Sequence, residues 1–286
     1  MSNFKYFHLT IVRHGETDEN KNKIIQGQME TNLSDIGLLQ AKETGDFFKN
    51  VPIDIIYCSD LKRTCQTANE IAIRNEHMKN KNSPVNSIIK SSTIRERSFG
   101  VYTGYSLTAW RNECKSKERS SKSWVPPNGE SINQLRDRAI HSFADLCQIM
   151  LKQQPKEACD PCPITITGGS NLCQLSSVSD PVRIMECNYP IELYPFTKVS
   201  DSSKPPKSEY LGHILLMSHG GFINQLLQYL SSINLHPVRI EHKNIPNCSI
   251  TQLSVIFNSK SKSAQVDFHS INFIDHLTSD SCTENV

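Results

Sequence analysis

No window of this chain reaches the roughly 18 consecutive apolar residues that a helix needs to cross a bilayer. The opening residues, MSNFKYFHLTIV, hold neither a long apolar core nor a small-residue cleavage site. A soluble, cytoplasmic protein without membrane contact is therefore expected. No run of basic residues and no basic patch interleaved with aromatics exists either, and the formal net charge is only +2. Nucleic acid is not an expected partner, and any anion must be held by a local pocket rather than by a global field. No internal repeat is visible, which sets aside solenoids and propellers. Cysteine is plentiful, with ten in all, but it lacks a pattern. The ten are scattered, the CDPC at 159–162 has no second pair at zinc-ribbon spacing, and Cys173 alone completes no site. Reduced thiols are expected, with no metal and no organic cofactor.

With 37% apolar and 21% charged residues, the 286-residue chain reads as one α/β domain carrying an insertion. Leu9 to Val12, Ile53 to Cys58 and Ile214 to Met217 are short apolar runs of strand type, each followed by a polar break and then a helical pattern. After the second break, Leu61, Cys65, Ala68, Ile71 and Ala72 recur at three- and four-residue spacing. After the third, Phe222, Ile223, Leu226, Leu227 and Leu230 do the same. Further helices are predicted from Ser34, as N-cap, to Lys49, and over Ser131 to Gln153 after the turn signal of Pro126, Pro127 and Gly129. Periodicity disappears between about 154 and 210, where Pro, Ser, Asn and Cys accumulate, which marks an insertion. Cys248 to Phe257 and Ala264 to Phe273, joined by NSKSKS, read as an edge hairpin. The expected architecture is a three-layer α/β/α sandwich around a mostly parallel sheet, with an antiparallel edge strand and a long insertion, in a single domain over 1–286.

In such a sheet the polar breaks after the strands become neighbours in space, and ligands collect there. The breaks supply Arg13, His14, Arg63 and His219, with Glu96 in TIRERSFG as a further candidate. Guanidiniums and imidazoles around one point suit a phosphoryl dianion, because arginine offers paired donors at the spacing of phosphate oxygens. His14 can act as nucleophile through one ring nitrogen while a hydrogen bond on the other fixes the tautomer. Arg13, Arg63 and His219 would then stabilise the transferring group, Asn20 would add a neutral donor, and Glu96 would protonate the departing alkoxide. Taken singly, each of these residues also has an ordinary structural reading. A lone histidine is usually structural, Arg63 on a first helical turn is usually a solvated charge, and Glu96 between Arg95 and Arg97 could be a surface ion pair. Four of them near strand ends make that a repeated coincidence.

RHGET followed by Asn20, SDLKRTCQTA at 59–68, RERSFG at 95–100 and MSHGG at 217–221 resemble, in order, the motifs of the histidine phosphatase superfamily, also called phosphoglycerate mutase-like. The resemblance covers about Leu9 to Met150 and Leu211 to Phe257. Within it, IIQGQ, RERSFGVYTG, PPNGES, IPNCSITQLSV and NFIDHLT look like segments of the fructose-2,6-bisphosphatase type. That likeness implies a metal-independent phosphatase acting through a phosphohistidine on a sugar bisphosphate and so regulating glycolysis. It implies His14 and Glu96 as the catalytic pair, and Arg13, Asn20, Gln26, Gly27, Arg63, His219 and Gly220 as the phosphate- and substrate-binding set. No protein partner is implied. Phosphoglycerate mutase or bisphosphoglycerate phosphatase activity is the first alternative. Mutases usually carry GLNK where this chain has Gly104, Tyr105, Ser106 and Leu107, and losing that lysine favours transfer to water. An inactive interaction module is the second, disfavoured because every candidate pocket residue is present.

Overall fold

A computed structural model describes residues 4–79, 88–118, 120, 124–157, 208–233, 245–260 and 263–282. In chain order these form β1 (Phe4–Arg13), α1 (Asp18–Lys21), α2 (Asp35–Phe47), β2 (Ile55–Ser59), α3 (Lys62–Arg74), α4 (Glu76–Lys79), β3 (Ile88–Ser91), α5 (Leu107–Ser116), α6 (Ile132–Leu151), β4 (Glu209–Ser218), α7 (Gly220–Ser232), β5 (Ile250–Asn258) and β6 (Ser263–Phe273). The six strands make one sheet in the order β3-β2-β4-β1-β5-β6. The first four are mutually parallel, β5 runs antiparallel to β1, and β6 pairs antiparallel with β5. The expected hairpin is therefore present, and its outer strand closes one edge of the sheet.

The central strand β4 is buried along nearly its whole length, as a parallel strand covered on both faces must be. Alternation along the strands sorts side chains between two cores. Leu9, Ile11, Ile214 and Leu216 meet Phe143, Leu146, Phe222 and Leu226 of α6 and α7. Val12, Ile56, Leu215 and Met217 meet Ala68, Ile71 and Ala72 of α3 on the opposite face, together with Phe48 just after α2. These two apolar layers make the three-layer sandwich. A smaller cluster stacks Trp110 on Trp124, ring centroids 4.7 Å apart, and anchors α5 beside the main body.

Ser34 caps α2 as predicted, accepting from the Gly37 N–H, and Ser131, expected as the first residue of the next helix, is instead the N-cap of α6 and accepts from the Gln134 N–H. Boundaries differ by a few residues. Ile53 is buried but precedes β2, Leu61 is the N-cap of α3 rather than part of it, and Cys65 is only half-buried. Strand β3 and helix α5 had no clear sequence signal. Most of the expected insertion at 154–210, including the CDPC, lies outside the described residues. At its edges the Lys156 N–H donates to the Tyr210 carbonyl at 2.8 Å, so the segment leaves and returns at one place. Among the described residues no helix is long and apolar enough to cross a membrane. No group of His, Cys, Asp or Glu among them is arranged to hold a metal ion.

Candidate active site

Adjacent parallel strands β2, β4 and β1 end level with one another: Cys58 pairs with Met217 and Arg13 with Ser218. The residues that follow, including His14, Ser59 and His219, are thereby delivered to one edge of the sheet, and α3 and α7 start there. A cleft of about 620 Å³ opens at this edge, lined by Arg13, His14, Asn20, Gln26, Gly27, Arg63, Glu96 and Gly220 among others.

His14 is buried, and its Nδ1 lies 2.7 Å from the Gly15 carbonyl. A carbonyl only accepts, so Nδ1 carries the hydrogen and Nε2 keeps its lone pair. Burial, with the charges of Arg63 and Arg13 beside it, holds the ring well below its usual pKa, and it is neutral at pH 7. Its own backbone is fixed on both sides. The His14 N–H donates to Ser218 and its carbonyl accepts from Asn247 Nδ2 at 2.9 Å.

Arg63 is almost wholly buried on the first turn of α3. Its Nε donates to His219 Nδ1 at 3.2 Å, Nη1 to the Met29 carbonyl and the Thr31 hydroxyl, and Nη2 to the Gly27 carbonyl at 2.9 Å. Four of its five N–H groups are thus committed, and one Nη2–H remains. Desolvation brings its pKa down to about 10, which still leaves it charged. Thr31 in turn donates to Gln26 Oε1, so Gln26 is oriented through the same chain. Arg13 donates through Nη1 to the Ile245 carbonyl, while its buried Nε has no protein partner among the described residues. Asn20 closes the capping box of α1 with Thr17 through its Oδ1, which leaves its amide nitrogen at the cleft.

Glu96 is held by two backbone donors, Arg97 N–H to Oε1 at 2.7 Å and Gly221 N–H to Oε2 at 2.8 Å. The guanidiniums of its two sequence neighbours hydrogen-bond elsewhere. Arg95 makes a forked pair with Asp60, and Arg97 donates to the carbonyls of Glu130 and Trp124. Behind it, Arg138 clasps Glu130 and donates to the carbonyls of Arg95 and Glu96. Gly221 is required here, because a Cβ at that position would collide with Oε1. Gly220 lines the cleft next to the Arg13 guanidinium.

His219 sits differently from its neighbours in the sequence expectation. It is fully buried behind Arg63, with its ring 5.2 Å from that of His14, and it is not on the cleft wall. Because Arg63 donates to Nδ1, the neutral ring carries its hydrogen on Nε2 and donates to the Ser59 hydroxyl at 2.9 Å. That N–H reaches a bound anion only if Ser59 gives it up. Sequence reasoning missed Ser59, Gly221 and Asn247. All three sit inside quoted motifs, Asn247 in IPNCSITQLSV, but none was singled out there for a role. Asn247 follows a proline, a turn signal, just ahead of β5.

A neutral imidazole with a free lone pair, guanidiniums around it and a fixed carboxylate at the same cleft define a site of the phosphoryl-transfer class. The sequence profile of the histidine phosphatase superfamily (branch 1) matches residues 9–154, and the chain belongs to that superfamily and is a phosphatase. Fructose-2,6-bisphosphatase TIGAR of Bos taurus is 34% identical over 230 residues, covering 78% of this chain and 76% of that protein. Among solved structures, a mycobacterial glucosyl-3-phosphoglycerate phosphatase superposes with a TM-score of 0.58 at 21% identity, covering 93% of this chain and 98% of the other. A phosphoglycerate mutase from Bacillus anthracis gives 0.59 at 17% identity over 93% and 94%. At those identities the two structures share the fold alone.

Proposed function

We propose that the protein hydrolyses a phosphate monoester through a phosphohistidine at His14, without a metal ion, and that its substrate is fructose 2,6-bisphosphate. The observation that carries the mechanism is the hydrogen bond from His14 Nδ1 to the Gly15 carbonyl, which leaves Nε2 neutral and unprotonated at the wall of an arginine-lined cleft. In the first step the Nε2 lone pair forms a bond to phosphorus as the ester P–O bond breaks. Glu96, entering as the acid, gives its proton to the departing alkoxide; each of its oxygens keeps a second lone pair at which that proton can sit. In the second step water attacks phosphorus, its proton passes to Glu96, and the P–N bond breaks to regenerate neutral His14. Arg13 and Arg63 offset charge on the phosphoryl oxygens throughout.

The substrate assignment follows the similarity to the fructose-2,6-bisphosphatases and carries a cytoplasmic role in restraining glycolysis. Leu107, uncharged on the cleft wall, favours release to water over return of the phosphoryl group to a second hydroxyl. Purified protein treated with EDTA is expected to release phosphate from fructose 2,6-bisphosphate, and His14→Ala to release none. Turnover by that variant at the wild-type rate would refute the mechanism. Efficient phosphate release from other esters, but none from this one, would refute the substrate.

A further inference from the structure

Two thiols behind the cleft are turned toward one atom. Cys58, near the end of β2, and Cys65, in the first part of α3, both donate to the Ser59 carbonyl, from 3.0 and 3.5 Å. Their sulfurs are therefore no further apart than those two bonds laid end to end. The Thr64 hydroxyl lies 2.9 Å from the same oxygen. A carbonyl oxygen has two lone pairs, so three donors compete for it and the thiol hydrogens are held weakly. Both cysteines are free; Cys58 is fully buried, whereas Cys65 is only half-buried and open to small solutes.

The two thiols differ in readiness to react. The adjacent Cys58 thiol, with the Lys90 ammonium on β3, brings Cys65 down to about 7, so a good part of it is thiolate at neutral pH. Burial pushes Cys58 well up, and it stays a thiol. An accessible thiolate beside a protected thiol is the arrangement in which an oxidised sulfur is captured by its neighbour. Ser59 ties the pair to the active site. Its hydroxyl accepts from His219 Nε2 at 2.9 Å, and Arg63, which donates to the same imidazole and lines the cleft, stands two residues before Cys65 on α3.

We propose that Cys65 is a site of oxidation by hydroperoxides, that Cys58 captures the product as a disulfide, and that this bond slows the phosphatase. With hydrogen peroxide, the Cys65 sulfur first attacks one oxygen, the O–O bond breaks, and water leaves with sulfenic acid on Cys65. The Cys58 sulfur then bonds to the Cys65 sulfur, the S–OH bond breaks, and the Cys58 hydrogen leaves with the hydroxyl as a second water. Two thiols are oxidised and one peroxide is reduced. A covalent bond holds two sulfurs closer than two thiols in contact can come, so the end of β2 and the start of α3 are drawn together, and Ser59 and Arg63 shift with them.

Full-length protein treated with hydrogen peroxide, quenched with catalase, alkylated and digested should yield a peptide pair joined through Cys58 and Cys65 by mass spectrometry. In the same samples kcat/KM for p-nitrophenyl phosphate should fall about tenfold or more, as a displaced positioning group requires, and return with dithiothreitol. Cys65→Ser should keep its activity under this treatment. Cys58→Ser should instead carry Cys65 on to sulfinic acid, which dithiothreitol does not reverse. Cys282→Ser, at an exposed position, should behave as wild type. Absence of the joined peptide from oxidised wild type, a reading that needs no variant to fold, overturns the proposal. So does a joined peptide with undiminished turnover, or a reversible loss that persists in Cys65→Ser. The slowing rests on the phosphatase reading of the site: untreated protein that cleaves no ester would refute that reading and the slowing together, while the joined peptide still decides the thiol pair.

Discussion

Gly221→Ala isolates the placement of Glu96. In an ordinary helix this exchange stabilises by up to about 1 kcal/mol, since glycine is the poorer helix former. Here the new Cβ would lie 3.1 Å from Glu96 Cδ and 3.3 Å from Oε2, and would overlap Oε1 outright. The Gly221 end of α7 is fixed by its helix, so the carboxylate must swing away. It then loses the bond from Gly221 N–H and strains the one from Arg97 N–H, and each charge-assisted bond is worth about 1.5–3 kcal/mol. Set against the helix gain, a net destabilisation of about 1–2 kcal/mol is expected for one lost bond, readable as a lower urea midpoint at unchanged slope. The kinetic effect should be larger. Displacing Glu96 from its proposed role as general acid should cost about 100-fold or more in kcat on a sugar ester, whose alkoxide leaves poorly, and far less on an aryl phosphate, which needs little protonation. In a Glu96→Gln background the added Gly221→Ala should cost little more, because both changes remove the same function. Full turnover of the sugar ester by Gly221→Ala would refute this placement of the acid.

Acid sensitivity follows from the buried imidazoles. Burial brings His213 down to about 4 and, aided by the nearby His213 and His269, His8 to about 3. Their folded-state values lie below the unfolded 6.5, so their contribution to stability is intact above about pH 6.5, is lost as pH falls toward 4, and levels off below that. Between pH 7 and pH 5 the loss is at most about 2 kcal/mol per ring. Urea titrations at the two pH values should show it, and His213→Gln should flatten the dependence; a stability independent of pH over this range would contradict the assignment. Asn75 is fully buried, donates to the carbonyls of Phe48 and Val51 and accepts from Met78 N–H at 2.9 Å. Asn75→Ala should lower unfolding free energy by about 2–4 kcal/mol through those unpaired groups while leaving kcat/KM within experimental error; unchanged stability would contradict it. Cys65 is half-buried, and the adjacent Cys58 thiol brings it down to about 7. It should alkylate at neutral pH while buried Cys147 and Cys248 stay protected, as peptide mapping would show; equal labelling would argue against that contrast.

The parts of this fold that could be read from sequence are those where period and punctuation agree. All five apolar residues predicted on α7 are buried, and the predicted cap at Ser34 forms. Strand β3, four residues with only Ile88 buried, gives periodicity too little to work on, and α5 buries only Trp110 and Cys114. The gathering of Arg13, His14, Arg63 and Glu96 at one cleft was legible because each stands just beyond a strand or in a polar break. What sequence does not carry is direction. Nothing in SHGG says that the His219 ring turns inward to Arg63 and Ser59 rather than outward to the cleft, or that a glycine one residue on makes room for a carboxylate 125 positions earlier.

The central claim is covalent, and so is its most direct test. Wild-type protein mixed with fructose 2,6-bisphosphate labelled with radioactive phosphorus at the 2-phosphate, quenched within one turnover in alkali and digested, should yield one labelled peptide containing His14. The label should be stable to base and lost in acid, as a phosphoramidate bond requires, and absent in His14→Ala. Label on another residue, or rapid single-turnover release without any labelled protein, would contradict the account.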